Sequence, residues 1–112
     1  MKNSSDGKDT LDFECFFQQL LKGIWIDETC FYFVDDPNRV ERFLGYLPQY
    51  DMPYWVGYCD IPNGTEFNTA DELVNAKIYD GKSLKERWEE VRIISIEGIS
   101  LESWLGMIEH TD

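Results

Sequence analysis

The feature that most constrains this chain is its high aromatic content on a strongly acidic background. It has four Trp, six Tyr and seven Phe, while 22 acidic side chains against 10 basic ones give a formal charge of −12. Acidic disordered segments are poor in aromatic residues, because they lack the apolar surface that would offset the loss of chain entropy on folding. The composition therefore predicts a folded domain with a strongly negative exterior.

Length and cysteine content narrow the class of protein. A chain of 112 residues favours one domain, and we expect a flexible lead over residues 1–10 followed by a single α+β domain over 11–112. The lead is polar and charge-balanced, without the apolar region of a signal peptide. Cys15, Cys30 and Cys59 are odd in number and widely spaced, which predicts reduced thiols and a cytoplasmic protein.

The spacing of apolar residues predicts the order of the elements. The predicted helices span 11–22, a short stretch after Pro37, 70–77, 84–91 and 101–108, and the predicted strands span 23–27, 30–34, 54–59 and 92–96. The predicted capping signals are Thr10 and Gly23 around the first helix, Thr69 with Glu72 before the third, and Ser83 with Glu86 before the fourth. These elements predict a single compact α+β domain, with a mostly antiparallel sheet of about four strands covered by short helices.

No residue pattern in the sequence indicates a catalytic or metal centre. Cysteine catalysis needs a base beside the thiol, but the single histidine, His110, lies near the last residue. One histidine and no CxxC pair disfavour zinc, and segment 60–66 lacks the alternating oxygen ligands of a calcium loop. We therefore expect no cofactor, no metal and no enzymatic activity. A catalytic carboxylate pair stays open as an alternative, because geometry decides that chemistry.

One group of aromatic and acidic residues forms the candidate binding site. Tyr and Trp are enriched in protein interfaces, and carboxylates around them would meet Arg and Lys on a partner. We expect Tyr50, Asp51 and Tyr54 to be the most exposed, because the neighbouring prolines indicate a loop. A position in the core is the alternative for the aromatic residues. The predicted partner-binding residues are Asp35, Asp36, Tyr50, Asp51, Tyr54, Trp55, Tyr58 and Asp60.

The net charge disfavours some classes of function and favours another. A strongly negative chain repels nucleic acid and anionic membranes and attracts basic proteins. We therefore expect a small acidic binding protein that neutralises a basic protein partner, most like a toxin-immunity or anti-defence inhibitor protein, with a nuclease toxin as one such partner. The alternative is a small housekeeping or regulatory module that binds a metabolite or acts within a larger assembly. Repulsion between two copies of charge −12 favours a monomer.

Overall fold

The computed structural model describes residues 9–109. The predicted flexible lead lies outside the described residues as far as residue 8, and His110 also lies outside them. The helices in this range are α1 (Phe13–Lys22), α2 (Ala70–Asn75) and α3 (Leu101–Glu109). The strands are β1 (Thr29–Phe33), β2 (Arg42–Tyr46), β3 (Tyr54–Gly57), β4 (Thr65–Phe67), β5 (Lys77–Tyr79), β6 (Lys82–Ser83) and β7 (Val91–Ile96).

Five of these strands form one antiparallel sheet in the order β4-β3-β2-β1-β7. Strands β5 and β6 form a separate two-stranded hairpin. The predicted α+β class, with a mostly antiparallel sheet and short helices, is confirmed. The sheet has one strand more than expected, and the predicted strand at 54–59 lies inside it as β3, between β4 and β2.

Strands β2 and β4 are not among the predicted strands, whereas the predicted strand at 23–27 does not form. β2 lies where the sequence predicts a short helix after Pro37. That prediction is wrong, because the Asp36 carboxylate accepts the backbone N–H groups of Asn38 (2.9 Å) and Val40 (3.0 Å) and so closes a tight turn. The chain leaves this turn extended and pairs with β1 on one side and β3 on the other. Ladder hydrogen bonds to two neighbours thus override a local helical pattern.

Two other predicted elements also differ. Segment 23–27 is not a strand, because Gly23 and Trp25 have φ values of 67° and 58°, which interrupt an extended backbone. The Ser83–Glu86 capping box forms, yet the chain after it holds only a short 3₁₀ turn at Trp88–Glu90 in place of the helix over 84–91. The Trp88 indole N–H donates to the Leu11 carbonyl at 2.5 Å, and the chain then enters β7.

Helix α1 follows its sequence pattern closely. Asp12, rather than Thr10, caps its start by accepting the backbone N–H of Cys15 at 3.3 Å. Gly23 ends it in the left-handed conformation, and its N–H donates to the Gln19 carbonyl at 3.0 Å. Phe16 on the apolar side of this helix is fully buried, so α1 is one of the elements that cover the sheet.

The core lies on one face of the five-stranded sheet. Alternate residues of β1, such as Phe31 and Phe33, are buried in the same cluster as Leu20 of α1, Leu73 of α2 and Trp104 of α3. Side chains from all three helices therefore cover this face of the sheet. The alternation places the intervening side chains of each strand on the opposite face, which we call the open face.

Gly45 of β2 allows a close approach on the open face. It lies opposite Trp55 in the ladder between β2 and β3. A Cβ atom at Gly45 would stand 1.8 Å from the Asp27 carbonyl oxygen and 2.7 Å from the Trp55 indole nitrogen. The absence of a side chain at this position lets the backbone of Asp27 and the Trp55 ring occupy that space.

We predict that Gly45→Ala lowers the free energy of unfolding by about 1–3 kcal/mol, because backbone and indole must both move to admit the methyl group. Gly57→Ala is the matched control, since a Cβ there meets nothing within 4 Å. It should change stability by no more than ~1 kcal/mol, and in the stabilising direction. Urea denaturation of both variants measures this; equal stability of the two would contradict the close approach.

Candidate partner-binding face

The open face carries aromatic side chains that the helices do not cover. Cys30 pairs with Phe43, Gly45 with Trp55, and Trp55 with Glu66 across neighbouring strands of this face. Phe43, Trp55 and Tyr32 are half-buried, and none of them belongs to the core cluster or packs against it. A folded sheet therefore presents one apolar, aromatic surface to the outside.

The aromatic residues of the open face are partly ordered by contacts with one another. The Phe43 and Tyr58 rings lie 5.8 Å apart between centroids, although Tyr58 remains 65% exposed. At the other side of the face, the Arg39 guanidinium lies 5.2 Å from the centre of the Tyr32 ring. Arg92 is also on that side, paired with Tyr32 across β1 and β7. The half formed by β2, β3 and β4 holds Phe43, Trp55 and Tyr58. It lies apart from Arg39 and Arg92, but the Arg42 guanidinium of β2 donates to the Tyr58 backbone carbonyl at 2.6 Å.

Carboxylates surround the aromatic half of the open face. Glu66 projects from β4 beside Trp55 and is exposed, and the Glu41 carboxylate accepts the Cys30 thiol at 3.9 Å. Burial raises the pKa of Cys30 to about 11, with further increases from the negative charges of Glu41 and Glu28. The Glu41 and Glu28 carboxylates thus place negative charge near Cys30, as a smaller contribution than burial.

A cavity of about 640 Å³ opens beside the aromatic half, between the loop after β2 and strand β4. We call it the Trp55 cavity. Polar and apolar atoms share its walls about equally. The residues that line it are Leu47, Tyr50, Met52, Pro53, Trp55, Val56, Asn63, Gly64, Thr65 and Glu66. The buried Trp55 indole N–H has no hydrogen-bond partner among the described residues and is turned toward Gly45. The ring thus offers carbon surface to the cavity.

The structure does not bring the predicted partner-binding residues into one cluster, because Asp35 and Asp36 follow β1 while the others lie in or beside β3. Tyr50 and Trp55 line the Trp55 cavity, and Asp51 is exposed in the same loop. Tyr58 is exposed just beyond the other end of β3. The structure brings Tyr50 and Trp55 together, and a site that also includes Tyr58 must extend along the strand.

The expected exposure of Tyr54 is wrong. Its ring is 8% exposed and belongs to the core cluster, and its hydroxyl donates to the Leu20 carbonyl at 3.5 Å. Burial is the main cause of the raised pKa of Tyr54. The alternation of β3 places Tyr54 on the helix-covered face and Trp55 on the open face, so only one of these adjacent aromatic residues is available to a partner.

Three predicted acidic residues have structural roles within the chain. The Asp60 carboxylate accepts the backbone N–H groups of Asp80 (3.1 Å) and Gly81 (3.2 Å) at the turn between β5 and β6. Asp36 closes its own turn, and hydrogen bonds from Asn38 and Val40 lower its pKa. Asp35 pairs with Arg87, as described next. A role for these carboxylates toward a partner stays a prediction, but each already stabilises local structure.

Arg87 lies among acidic side chains close to the end of β1. Its guanidinium lies 2.5 Å from the Asp35 carboxylate, 3.6 Å from that of Asp80 and 3.8 Å from the centre of the Phe33 ring. Arg87 is buried, whereas the two carboxylates remain exposed. Aromatic stacking and paired charge together allow a cation to sit against the core.

Sequence reasoning missed Phe43, Glu41 and Glu66 as members of the site. Phe43 and Glu41 lie in the stretch after Pro37 where the sequence predicts a short helix, and that helix does not form. In a strand over 42–46, successive side chains point to opposite faces. Because Leu44 is buried in the core, Phe43 lies on the open face. Glu66 carries no local signal, because its position depends on the pairing of β4 with β3.

Two classes of feature are absent from the described part of the chain. Across residues 9–109, the structure holds no group of three or more His, Cys, Asp or Glu side chains arranged to bind a metal ion. No helix in that range has the length and apolar character needed to cross a membrane.

Comparison of the chain with protein-family models, with curated proteins and with solved structures gave no significant match.

We predict that Asp60→Ala lowers the free energy of unfolding by about 1–2 kcal/mol, because two backbone N–H groups lose their acceptor at the β5–β6 turn. Asp51→Ala removes the same charge from an exposed loop position and should change stability by less than ~0.5 kcal/mol. Urea denaturation of both variants at neutral pH tests the difference. A similar small effect at both positions would show that Asp60 does not stabilise the turn.

We also predict that Glu41→Gln lowers the pKa of Cys30 from its value of about 11. The thiolate forms more readily once a neighbouring negative charge is removed, so the pH profile of alkylation at Cys30 should shift to lower pH. Glu28→Gln should shift it less, because Glu41 is the larger contributor and also accepts the thiol hydrogen bond. Alkylation rates at Cys30, measured by peptide mass mapping, test this; an unchanged profile in Glu41→Gln would contradict it.

Proposed function

We propose that this protein binds and neutralises a basic protein partner, in the manner of a toxin-immunity or anti-defence inhibitor protein. The observation that carries the proposal is the open face, where Phe43, Trp55 and Tyr58 stand outside the core and Glu41 and Glu66 lie beside them. Large half-exposed aromatic residues are typical anchors of protein interfaces. The carboxylates around them favour a partner that presents Arg and Lys.

The charge of the whole chain supports the same kind of partner. A formal charge of −12 attracts a basic surface over distances of about a Debye length and can raise association rates by ~10–10³-fold at low salt. A nuclease lines its substrate groove with Lys and Arg, so an acidic protein seated there would exclude nucleic acid. A nuclease toxin is therefore the partner class that this surface fits best.

The distribution of charge within the open face indicates which half the partner would contact. Arg39 and Arg92 lie on the side of β1 and β7 near Tyr32. Glu66 lies on the β4 side next to Trp55. Arg42 contacts the Tyr58 backbone at the other end of β3. A basic partner would therefore bind over β2, β3 and β4 with its cationic groups toward the Trp55 and Glu66 end.

Affinity capture with the tagged full chain tests this function at ~50 mM and ~500 mM salt, since screening weakens an interaction between exposed charges. We expect one basic protein, retained at low salt and weakened at high salt. If the captured protein is a nuclease, adding an excess of this acidic protein should abolish cleavage of nucleic acid by that nuclease. Tyr58→Ala should reduce affinity for the captured partner about tenfold or more, because it removes an aromatic anchor of the interface.

Two control variants separate the open face from the rest of the surface. Ile24→Ala truncates an exposed apolar side chain in the segment between α1 and β1 and should leave affinity unchanged. Glu102→Lys on α3 changes the net charge as much as Glu41→Lys does, but only Glu41→Lys should weaken binding strongly. Capture of no basic protein at either salt, or equal effects of the paired variants, would overturn the proposal.

A further inference from the structure

We propose that the Trp55 cavity binds an arginine side chain of the partner. This inference depends on the proposed function, because it names the group that anchors the basic partner at the open face. The cavity adjoins the aromatic half of that face, since Trp55 contributes to both. The residues that line the cavity, the charge of Glu66 and the cavity volume each favour an arginine side chain as the bound group.

The walls of the cavity suit the aliphatic stem and flat head of an arginine. Tyr50 is 56% exposed, and with Trp55, Leu47 and Met52 it forms an apolar and aromatic boundary. The Trp55 indole nitrogen is turned away toward Gly45, so the ring presents carbon surface on which a guanidinium can stack. Stacking of cations on Trp and Tyr is a common and favourable arrangement, more often with Arg than with Lys.

One carboxylate supplies the charge that selects a cation. Glu66 is the sole Asp, Glu, Lys, Arg or His among the residues lining the cavity. Within residues 9–109 the Glu66 carboxylate makes no hydrogen bond or ion pair, unlike those of Asp35, Asp36 and Asp60. It is exposed and unengaged, so it can accept the paired N–H groups of a guanidinium.

The size of the cavity agrees with this occupant. A volume of about 640 Å³ lies within the range of roughly 300–1,000 Å³ that is usual for binding pockets. It admits one long side chain together with bridging water molecules. The Asn63 amide also lines the space and offers a further polar contact to the guanidinium or its water.

The test is a titration of the full ¹⁵N-labelled chain with N-acetyl-L-arginine amide, followed by NMR at low salt. We expect a saturable shift of the Trp55 indole and Glu66 amide signals. The neutral isostere N-acetyl-L-citrulline amide should bind at least about fivefold more weakly, because it lacks the charge that Glu66 recognises. N-acetyl-L-lysine amide should also bind more weakly, because an ammonium does not stack as a flat group.

Variants locate the binding site and separate it from general attraction to an acidic chain. Glu66→Gln should weaken binding of the arginine probe at least about fivefold, whereas Glu102→Gln, with the same loss of charge on α3, should leave it unchanged. Tyr50→Ala removes one wall in an exposed loop and should weaken binding while the backbone spectrum stays native. Shifts spread over the acidic surface without saturation at Trp55, or equal binding of the citrulline probe, would overturn the inference.

The outcome for the cavity can be distinguished from the outcome for the proposed function. If a basic partner is captured in a salt-dependent manner and lost in Tyr58→Ala, but Trp55 does not respond to the arginine probe, the partner-binding function stands and the arginine site is wrong. If the probe binds at Trp55 but no basic protein is captured, the cavity is a guanidinium site and the proposed function fails.

Discussion

The burial of β1 against the helical layer is the constraint on which the rest of the structure depends. Phe31 and Phe33 are almost fully buried and pack edge-on against each other and against Tyr79 of the β5–β6 hairpin. Because β1 also pairs with β2 on one side and β7 on the other, it joins the two halves of the chain in one sheet. Its register therefore decides which side chains of every neighbouring strand face the helices.

The same register creates the open face. Placing Phe31 and Phe33 inward leaves Cys30 and Tyr32 outward, and the cross-strand pairs carry this alternation through Phe43 to Trp55. All three helices contribute side chains to the core on the inner face, so the aromatic residues on the outer face keep partial exposure. A surface of this kind in an acidic chain is the physical basis for proposing a basic partner.

The acidic residues divide into two groups with different consequences. Asp35, Asp36 and Asp60 hold Arg87 or close backbone turns, whereas the sequence singled them out as carboxylates grouped with aromatic residues. The Glu66 carboxylate makes no hydrogen bond or ion pair within residues 9–109. No local sequence pattern distinguishes it from other exposed carboxylates. Three of the acidic residues selected from the sequence thus have structural roles. Glu66, which supplies the negative charge of the Trp55 cavity, is placed there by the pairing of β4 with β3.

Sequence alone determined the α+β class, helix α1 with its Gly23 stop, the Thr69 capping box and the net charge of −12, because each depends on local spacing, local hydrogen bonds or composition. Tertiary structure decided that segment 42–46 is a strand, that Tyr54 is buried beside a half-exposed Trp55, and that Glu66 meets Tyr50 at one cavity. These outcomes depend on ladder hydrogen bonds between segments distant in the chain. Such bonds fix which face a side chain occupies, and a single residue's shift in register would reverse it.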